Sequence, residues 1–271
     1  MNENEYRQLD GISRSELWRL NPRNGGSPEK FKWAQTHPEE PTPAMVFGTV
    51  VHKLFLEPTS FCDEFAVAPI VDRRTKDGKA IYAEFLASVG DKTVISADDM
   101  ATATEMVRVL NRTPFVKALL DGAATETLVT WADEPTGEAC KIRCDALKLM
   151  RDGTPLIVDY KTTNDASTDA FCRKALSLGY DFQAGMYCQG LETHYGVPAK
   201  FVFIAQEKVE PYAVNILEAD EEFIQRGKDT YRELLGIYHE CKATDNWYGY
   251  LGKETVIGKL CLPQWATRTA E

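Results

Sequence analysis

The sequence predicts an α/β (α+β) domain built on a mixed central β-sheet flanked by helices. Three observations lead there. Apolar residues recur with a period of two through three consecutive stretches between 127 and 161, separated by short Pro/Gly turns. Helical periodicity with recognisable caps lies before and after them. Two further strand-like runs and a long acidic-capped helix close the chain.

Taken in order, Ser13-Arg-Ser-Glu16 fits a capping box and opens a short helix bearing Leu17, Trp18 and Leu20. Residues 21–44, rich in Pro, Gly and charge, form the loosest stretch. The run MVFGTVVHKLFLEP (45–58) reads as a helix closed by Pro58, apolar nearly all round and therefore buried. Ser96-Ala-Asp-Asp99 caps a helix running to about Asn111, and Pro114 opens another. The period then changes. Strands are expected over 127–133, 138–150 and 155–161, joined by turns at Pro135-Thr-Gly137 and Arg151-Asp-Gly153 as a meander. Helices follow at 167–178 and 181–195, strands at 201–208 and 212–218, and a helix from 219 to about 242.

The whole-chain properties set limits. At 271 residues, 44% hydrophobic, the chain has ample material for a core. The N-terminus lacks an apolar signal-peptide core, and no stretch reaches the ~18 uninterrupted apolar residues of a membrane span; a cytoplasmic protein without membrane contact is expected. Seven widely spaced cysteines make no disulfide framework. Cys140 and Cys144 share a strand face, with no second Cys or His pair to complete a zinc set, and are expected to pack. A net charge of −10 argues against coating nucleic acid through bulk charge, though not against gripping DNA in a locally basic channel. P-loop, G-x-S-x-G and H-E-x-x-H motifs are absent from the sequence.

Chemistry concentrates in LIVDYKTT (156–163). Asp159 and Lys161, two apart on a strand, share the face of Ile157, while Leu156, Val158 and Tyr160 take the other. An ion pair at a strand end is the ordinary explanation. Asp145 on the preceding antiparallel strand changes it, because that strand brings Asp145 near Asp159. Two carboxylates so placed repel unless a cation sits between them, and oxygen ligands suit Mg²⁺ or Mn²⁺. Lys161 is then in reach of a water nucleophile or a scissile phosphate. His52 stands on an apolar helix one turn after Gly48; a core histidine bonded to backbone is the bland alternative to a ligand. Gln183 and Tyr187 share a helix face, either as a polar patch or as DNA contacts supporting the lysine. Glu126, entering the first strand of the meander, is an auxiliary ligand or a solvated glutamate. The loop 71–79 carries Arg73, Arg74, Lys76 and Lys79, the densest basic cluster in the chain and the first candidate for phosphate gripping.

The order His52, Asp145, Asp159-Tyr160-Lys161, Gln183-x3-Tyr187 resembles the PD-(D/E)XK nuclease superfamily in its RecB-like branch. GISRSELW (11–18), PTPAMVFGTVVHKLFLEP (41–58), APIVDRRTKDGK (68–79), KIRCDALK (141–148), VDYKTT (158–163), the Q-x3-Y helix and LPQWA (262–266) look, more narrowly, like the nuclease domain of the RecE (exonuclease VIII) family, in register over about residues 10–266. The resemblance implies a PD-(D/E)XK restriction-endonuclease-like core in a single RecE-like exonuclease domain over 1–271: an N-terminal helical and loop segment (1–44), the nuclease core (45–218), and a C-terminal helix and tail (219–271). It implies a Mg²⁺-dependent exonuclease, with Mn²⁺ substituting, that digests the 5′ strand from duplex DNA ends and leaves 3′ single-stranded tails. A RecT-like single-strand annealing partner and a homo-tetrameric ring are implied with it, often in phages and prophages. By position, His52, Asp145 and Asp159 would be metal ligands, the Tyr160 backbone carbonyl an added ligand, and Lys161 the catalytic lysine. Asp159 stands where many superfamily members carry Glu, as it also does in the RecE branch. The expected chemistry is hydrolysis by water to 5′-mononucleotides, with one or two ions per site. A structure- or site-specific endonuclease, or an inactive DNA-end-binding scaffold on the same fold, are the competing expectations.

Overall fold

The structure is a computed structural model that describes residues 3–252, 257 and 259–262. In chain order the helices and strands are α1 (Glu3–Gln8), β1 (Ile12–Ser13), α2 (Arg14–Trp18), α3 (Pro28–Ala34), α4 (Pro43–Leu56), α5 (Phe61–Glu64), β2 (Phe65–Val67), α6 (Lys76–Ser88), β3 (Thr93–Ile95), α7 (Ala97–Arg112), α8 (Pro114–Leu120), β4 (Ala124–Ala132), β5 (Ala139–Leu149), β6 (Pro155–Thr163), α9 (Thr168–Leu178), α10 (Tyr180–Tyr195), β7 (Lys200–Glu207), β8 (Val214–Glu218) and α11 (Glu221–Thr244).

The predicted meander is present: β4 pairs antiparallel with β5, and β5 with β6. Gly153 sits in the β5–β6 turn at φ +85°, a backbone that favours glycine. β6 then pairs in parallel with β7, and β7 antiparallel with β8. The sheet is therefore mixed, in the order β1-β5-β6-β7-β8, with β4 on the other edge of β5. β2 and β3 make a separate parallel pair.

The two faces of β6 divide the core as its alternation predicts. Ile157 joins Phe182, Met186, Phe201, Phe203 and Tyr231 beneath α10 and α11. Leu156, Val158 and Tyr160 join Val50, Val51, Met106 and Leu110 beneath α4 and α7. Cys140 and Cys144 are free and buried. Burial pushes the Cys140 thiol up to about 11 and Cys144 well above its ordinary value, so both are inert packing groups.

The caps are as the sequence indicates. Ser13 and Glu16 close a complete capping box on α2, Ser96 caps α7, and Pro114 is the first residue of α8. Three readings need correction. Residues 21–44 contain α3, opened by Ser27 and Pro28 and anchored by buried Phe31. The supposed loop 71–79 ends inside α6, so Lys76 and Lys79 are helical. The helix at 45–58 begins at Pro43 and is only half-buried: Met45 and Thr49 face solvent, because neighbours cover it mainly from Val50 onward. Of the LPQWA motif, residues 263–266 lie outside the described residues.

α10 and α11 cross at Gly185 and Gly227. A Cβ on Gly185 would strike the Gly227 carbonyl carbon, and one on Gly227 the Asp181 carbonyl oxygen. Both obstacles are backbone and have little freedom to move. Gly227→Ala is expected to lower stability by about 1–3 kcal/mol through overpacking. Urea unfolding checks this; an unchanged midpoint would show that the two helices separate without cost.

Candidate active site

The site begins where two strands part. β6 keeps its ladder with β7 from Leu156 to Thr163, but pairs with β5 only from Leu149↔Pro155 to Ala146↔Val158. Past Val158 it leaves β5 and opens a fork. Extending the register one step sets Asp145 opposite Asp159. On the other side of β5, the pairs Thr125↔Ala146 and Thr127↔Cys144 bracket Glu126 and set it opposite Asp145. Three acidic residues thus occupy one row across three strands.

Each is then aimed. The Asp145 carboxylate turns into the fork and accepts the Tyr160 main-chain N–H at 2.9 Å, taking over a bond the ladder no longer supplies. In a strand, a residue's N–H and C=O point the same way, so the Tyr160 carbonyl faces this side too; the Tyr160 hydroxyl goes to the opposite core and donates to Gln206 Oε1. Glu126 has φ +50°, a left-handed backbone that costs a non-glycine residue about 1–3 kcal/mol. His52 descends from α4 with Nε2 2.9 Å from Asp145 Oδ2 and Nδ1 3.7 Å from Glu126 Oε1. One ligand atom each from His52, Glu126 and Asp145 lies within 4.8 Å of the others.

Asp159 has no exposed surface. Its Oδ2 stands 2.6 Å from Lys161 Nζ, and its Oδ1 accepts from Gln183 Nε2 at 2.6 Å. The ion pair expected as the ordinary explanation therefore exists, inside a larger cluster. Lys161 also lies 5.1 Å from the Tyr180 ring centroid.

Electrostatics separates the two aspartates. For Asp145, burial works against the charged form but is outweighed by the His52 charge and hydrogen bond, then by Lys161 and the Tyr160 N–H, holding it at about 2. Asp159 is pushed up to about 6, first by burial and then by Asp145, against the pull of Lys161. Burial lowers His52, but Asp145 and Glu126 outweigh it and hold the imidazole above its ordinary value. Burial likewise opposes the Lys161 charge, and Asp159 and Asp145 outweigh it, so the ammonium is favoured. Glu126 is raised by burial against His52 and Arg143.

The arrangement fits a hard divalent cation. Two carboxylates and an imidazole converge, Asp159 stands beside them, and Glu126 Oε1 and Asp159 Oδ2 are buried without a directed hydrogen bond. Asp159 Oδ2 lies 2.6 Å from the Lys161 ammonium, so a cation bound by that oxygen would share it with the lysine.

The other sequence candidates fare differently. Gln183 donates to Asp159, the partner of Lys161, a bond that the sequence reading did not anticipate. Tyr187 is buried against Phe201, its hydroxyl pushed far up by burial. Arg74 is held by Asp72 at 3.0 Å, and Arg73 lies over Tyr82. Among the described residues, no hydrogen bond or ion pair joins Arg73, Arg74, Lys76 or Lys79 to the carboxylate cluster. Arg143, which the sequence reading missed, holds Glu126 Oε2 from Nε at 2.9 Å. It lies two residues before Asp145 on the same strand, and alternation alone would have found it.

The model of a family described as "PDDEXK-like domain of unknown function (DUF3799)" matches residues 25–257. Among solved structures, a protein from Eubacterium rectale described as "Putative exonuclease" matches with a TM-score of 0.65 and 16% identity over 98% of each chain. At that identity the likeness shows the fold. A second structure, named SSO0001, matches at TM-score 0.37 and 14% identity over 85% of this chain and 81% of that one, too low to bear on the fold. No curated protein sequence is detectably similar. No helix among the described residues is long and apolar enough to cross a membrane.

Metal binding at this cluster should weaken in acid. A cation held by Asp159 and His52 would need the first ionised and the second neutral, and both are held protonated to a higher pH than their free counterparts. Affinity for Mn²⁺ is therefore expected to rise steeply from about pH 5 to about pH 7.5, with release of protons on binding. Calorimetric titration at the two pH values checks it; equal affinities would place the cation elsewhere.

Proposed function

The chain belongs to the PDDEXK-like family, and from that premise we propose that it is a Mg²⁺-dependent double-stranded DNA exonuclease of the RecE type. It digests the 5′ strand from an end, releases 5′-mononucleotides and leaves 3′ single-stranded tails for recombination by single-strand annealing. The observation that carries the reading is the row Glu126–Asp145–Asp159 across three strands, with His52 over it and Lys161 beside it. Support for the narrower RecE type comes from the ordered motifs over residues 10–266, and the exonuclease description of the Eubacterium rectale structure points the same way.

The chain's residues divide the work. His52, Asp145 and Asp159 would hold the cation, with Glu126 as an auxiliary ligand through the oxygen that Arg143 leaves open and the Tyr160 carbonyl facing the same fork. Bound there, Mg²⁺ supplies Lewis-acid charge and lowers the pKa of water. Gln183 fixes the Asp159 rotamer through a buried hydrogen bond. Lys161 remains protonated beside two carboxylates, so it acts as a donor and counter-charge rather than as a base. It orients the attacking water and offsets the negative charge that builds on the phosphate.

The net charge of −10 suits action at ends. A tetrameric ring with an acidic exterior and a basic lumen would repel duplex flanks and admit a terminus. A RecT-like annealing protein would receive the tails.

Two experiments test the reading. A linear duplex labelled at 5′ or at 3′ is digested with Mg²⁺ by wild type and by Lys161→Ala. The 5′ label is expected to leave first, and the variant's kcat to fall about 10²–10³-fold, as for loss of one charge-stabilising donor; undiminished release by the variant contradicts the mechanism. Covalently closed circular DNA is expected to survive amounts of enzyme that consume the linear form, and its efficient cutting would identify an endonuclease.

A further inference from the structure

We infer that Arg14 grips a phosphate of the DNA strand lying in the fork, next to the scissile one, an inference that rests on the nuclease reading above. β4 occupies one edge of β5. The other edge is shared by β6 at residues 146–149 and by β1 at residues 140–141. β1 therefore closes the far end of the fork that β6 opens. Arg14 is the first residue after it, on the first turn of α2.

The side chain is fixed in place. Nη2 donates to the carbonyls of Leu178 at 2.6 Å and Gly179 at 2.8 Å, where α9 gives way to α10. The guanidinium carbon lies 5.4 Å from the Trp18 ring centroid and 5.8 Å from that of Phe182. Nε is buried with no hydrogen-bond partner. No carboxylate forms an ion pair with Arg14 among the described residues. Its electrostatic neighbours are Tyr187, Tyr180, Asp159 and Asp181. Asp181 is taken by Arg226 at 2.9 Å, and Asp159 by Lys161 and Gln183.

Burial accordingly pulls the Arg14 pKa down, and only weaker charges oppose it. Arg14 is half-buried, with Nε sealed from water, and a partly desolvated cation without a carboxylate partner gains when an anion arrives. With Nη2 given to two carbonyls and Nε buried, Nη1 is the nitrogen left to donate to a phosphate oxygen. Arg14 and Lys161 are both neighbours of one side chain, Tyr180. Contacts of this kind position a strand without reading its sequence, which suits digestion of any end.

The test is duplex binding by fluorescence anisotropy, with Ca²⁺ in place of Mg²⁺, across a salt titration. Arg14→Gln is expected to bind at least about tenfold more weakly and to reduce the slope of log affinity against log salt by about 0.9, one phosphate contact. Arg14→Lys is expected to keep the slope but recover only part of the affinity, because a single ammonium cannot hold the two carbonyls and also reach the phosphate as the guanidinium does. Mn²⁺ affinity should be the same in all three proteins. Wild-type affinity and slope in Arg14→Gln overturn the proposal, as does an Arg14→Lys variant whose slope falls like that of Arg14→Gln. Should Arg14→Gln lower the melting temperature, Arg14→Lys alone decides, and wild-type affinity in it overturns the proposal. A wild type that binds duplex yet cleaves neither label sinks the hydrolase reading, while the Arg14 comparison is still decided by binding.

Discussion

The parting of β5 and β6 past Val158 is the constraint on which the site depends. Two strands that stop pairing inside a sheet leave main-chain groups that must find partners or pay for their burial. Asp145 answers one of them by accepting the Tyr160 N–H. The same act turns its carboxylate into the fork and brings it toward Asp159. Had the ladder continued, the fork would be filled with backbone hydrogen bonds and no cation could enter. β1 closes the far end, so the opening is bounded along the strands as well as across them.

The fork is also where the two layers of the protein meet. His52 reaches it from α4, whose other side chains build the core beneath α4 and α7. Gln183 reaches it from α10, part of the core on the opposite face. The two aspartates are therefore held by different halves of the fold: Asp145 by a histidine from one, Asp159 by a glutamine from the other. This division explains their unequal protonation. Asp145 sits against a cation and a main-chain donor, whereas Asp159 is sealed from water with its charge only partly compensated.

Much of this was legible in the sequence, for reasons that can be named. The meander, the shared face of Asp159 and Lys161 and the partition of Ile157 from Leu156, Val158 and Tyr160 all follow from period-two alternation, which burial on both faces enforces. The capping box and the prolines located helix starts because those residues satisfy or lack specific N–H groups. What was missed lacks periodicity or acts at a distance. α3 spans only Pro28–Ala34 and buries little besides Phe31, too short for a face to show. α6 hid behind a basic run with Gly78 in its first turn. The positive φ of Glu126 and the object that Gln183 faces are properties of the assembled sheet, and no local pattern encodes them.

The charges in the fork imply an order of events. Three carboxylates face three basic groups: Glu126 with Arg143, Asp145 with His52, and Asp159 with Lys161. With His52 protonated the set is self-neutralised and offers a phosphate little attraction. A divalent cation among these ligands requires neutral His52 and exchanges one positive charge for two. Arg143 and Lys161 keep theirs, so the balance becomes positive where a phosphate would lie. On the proposed reading, the fork would become attractive to a phosphate once a cation had replaced the imidazole proton, giving an overall acidic protein a local anion site beside the carboxylate cluster.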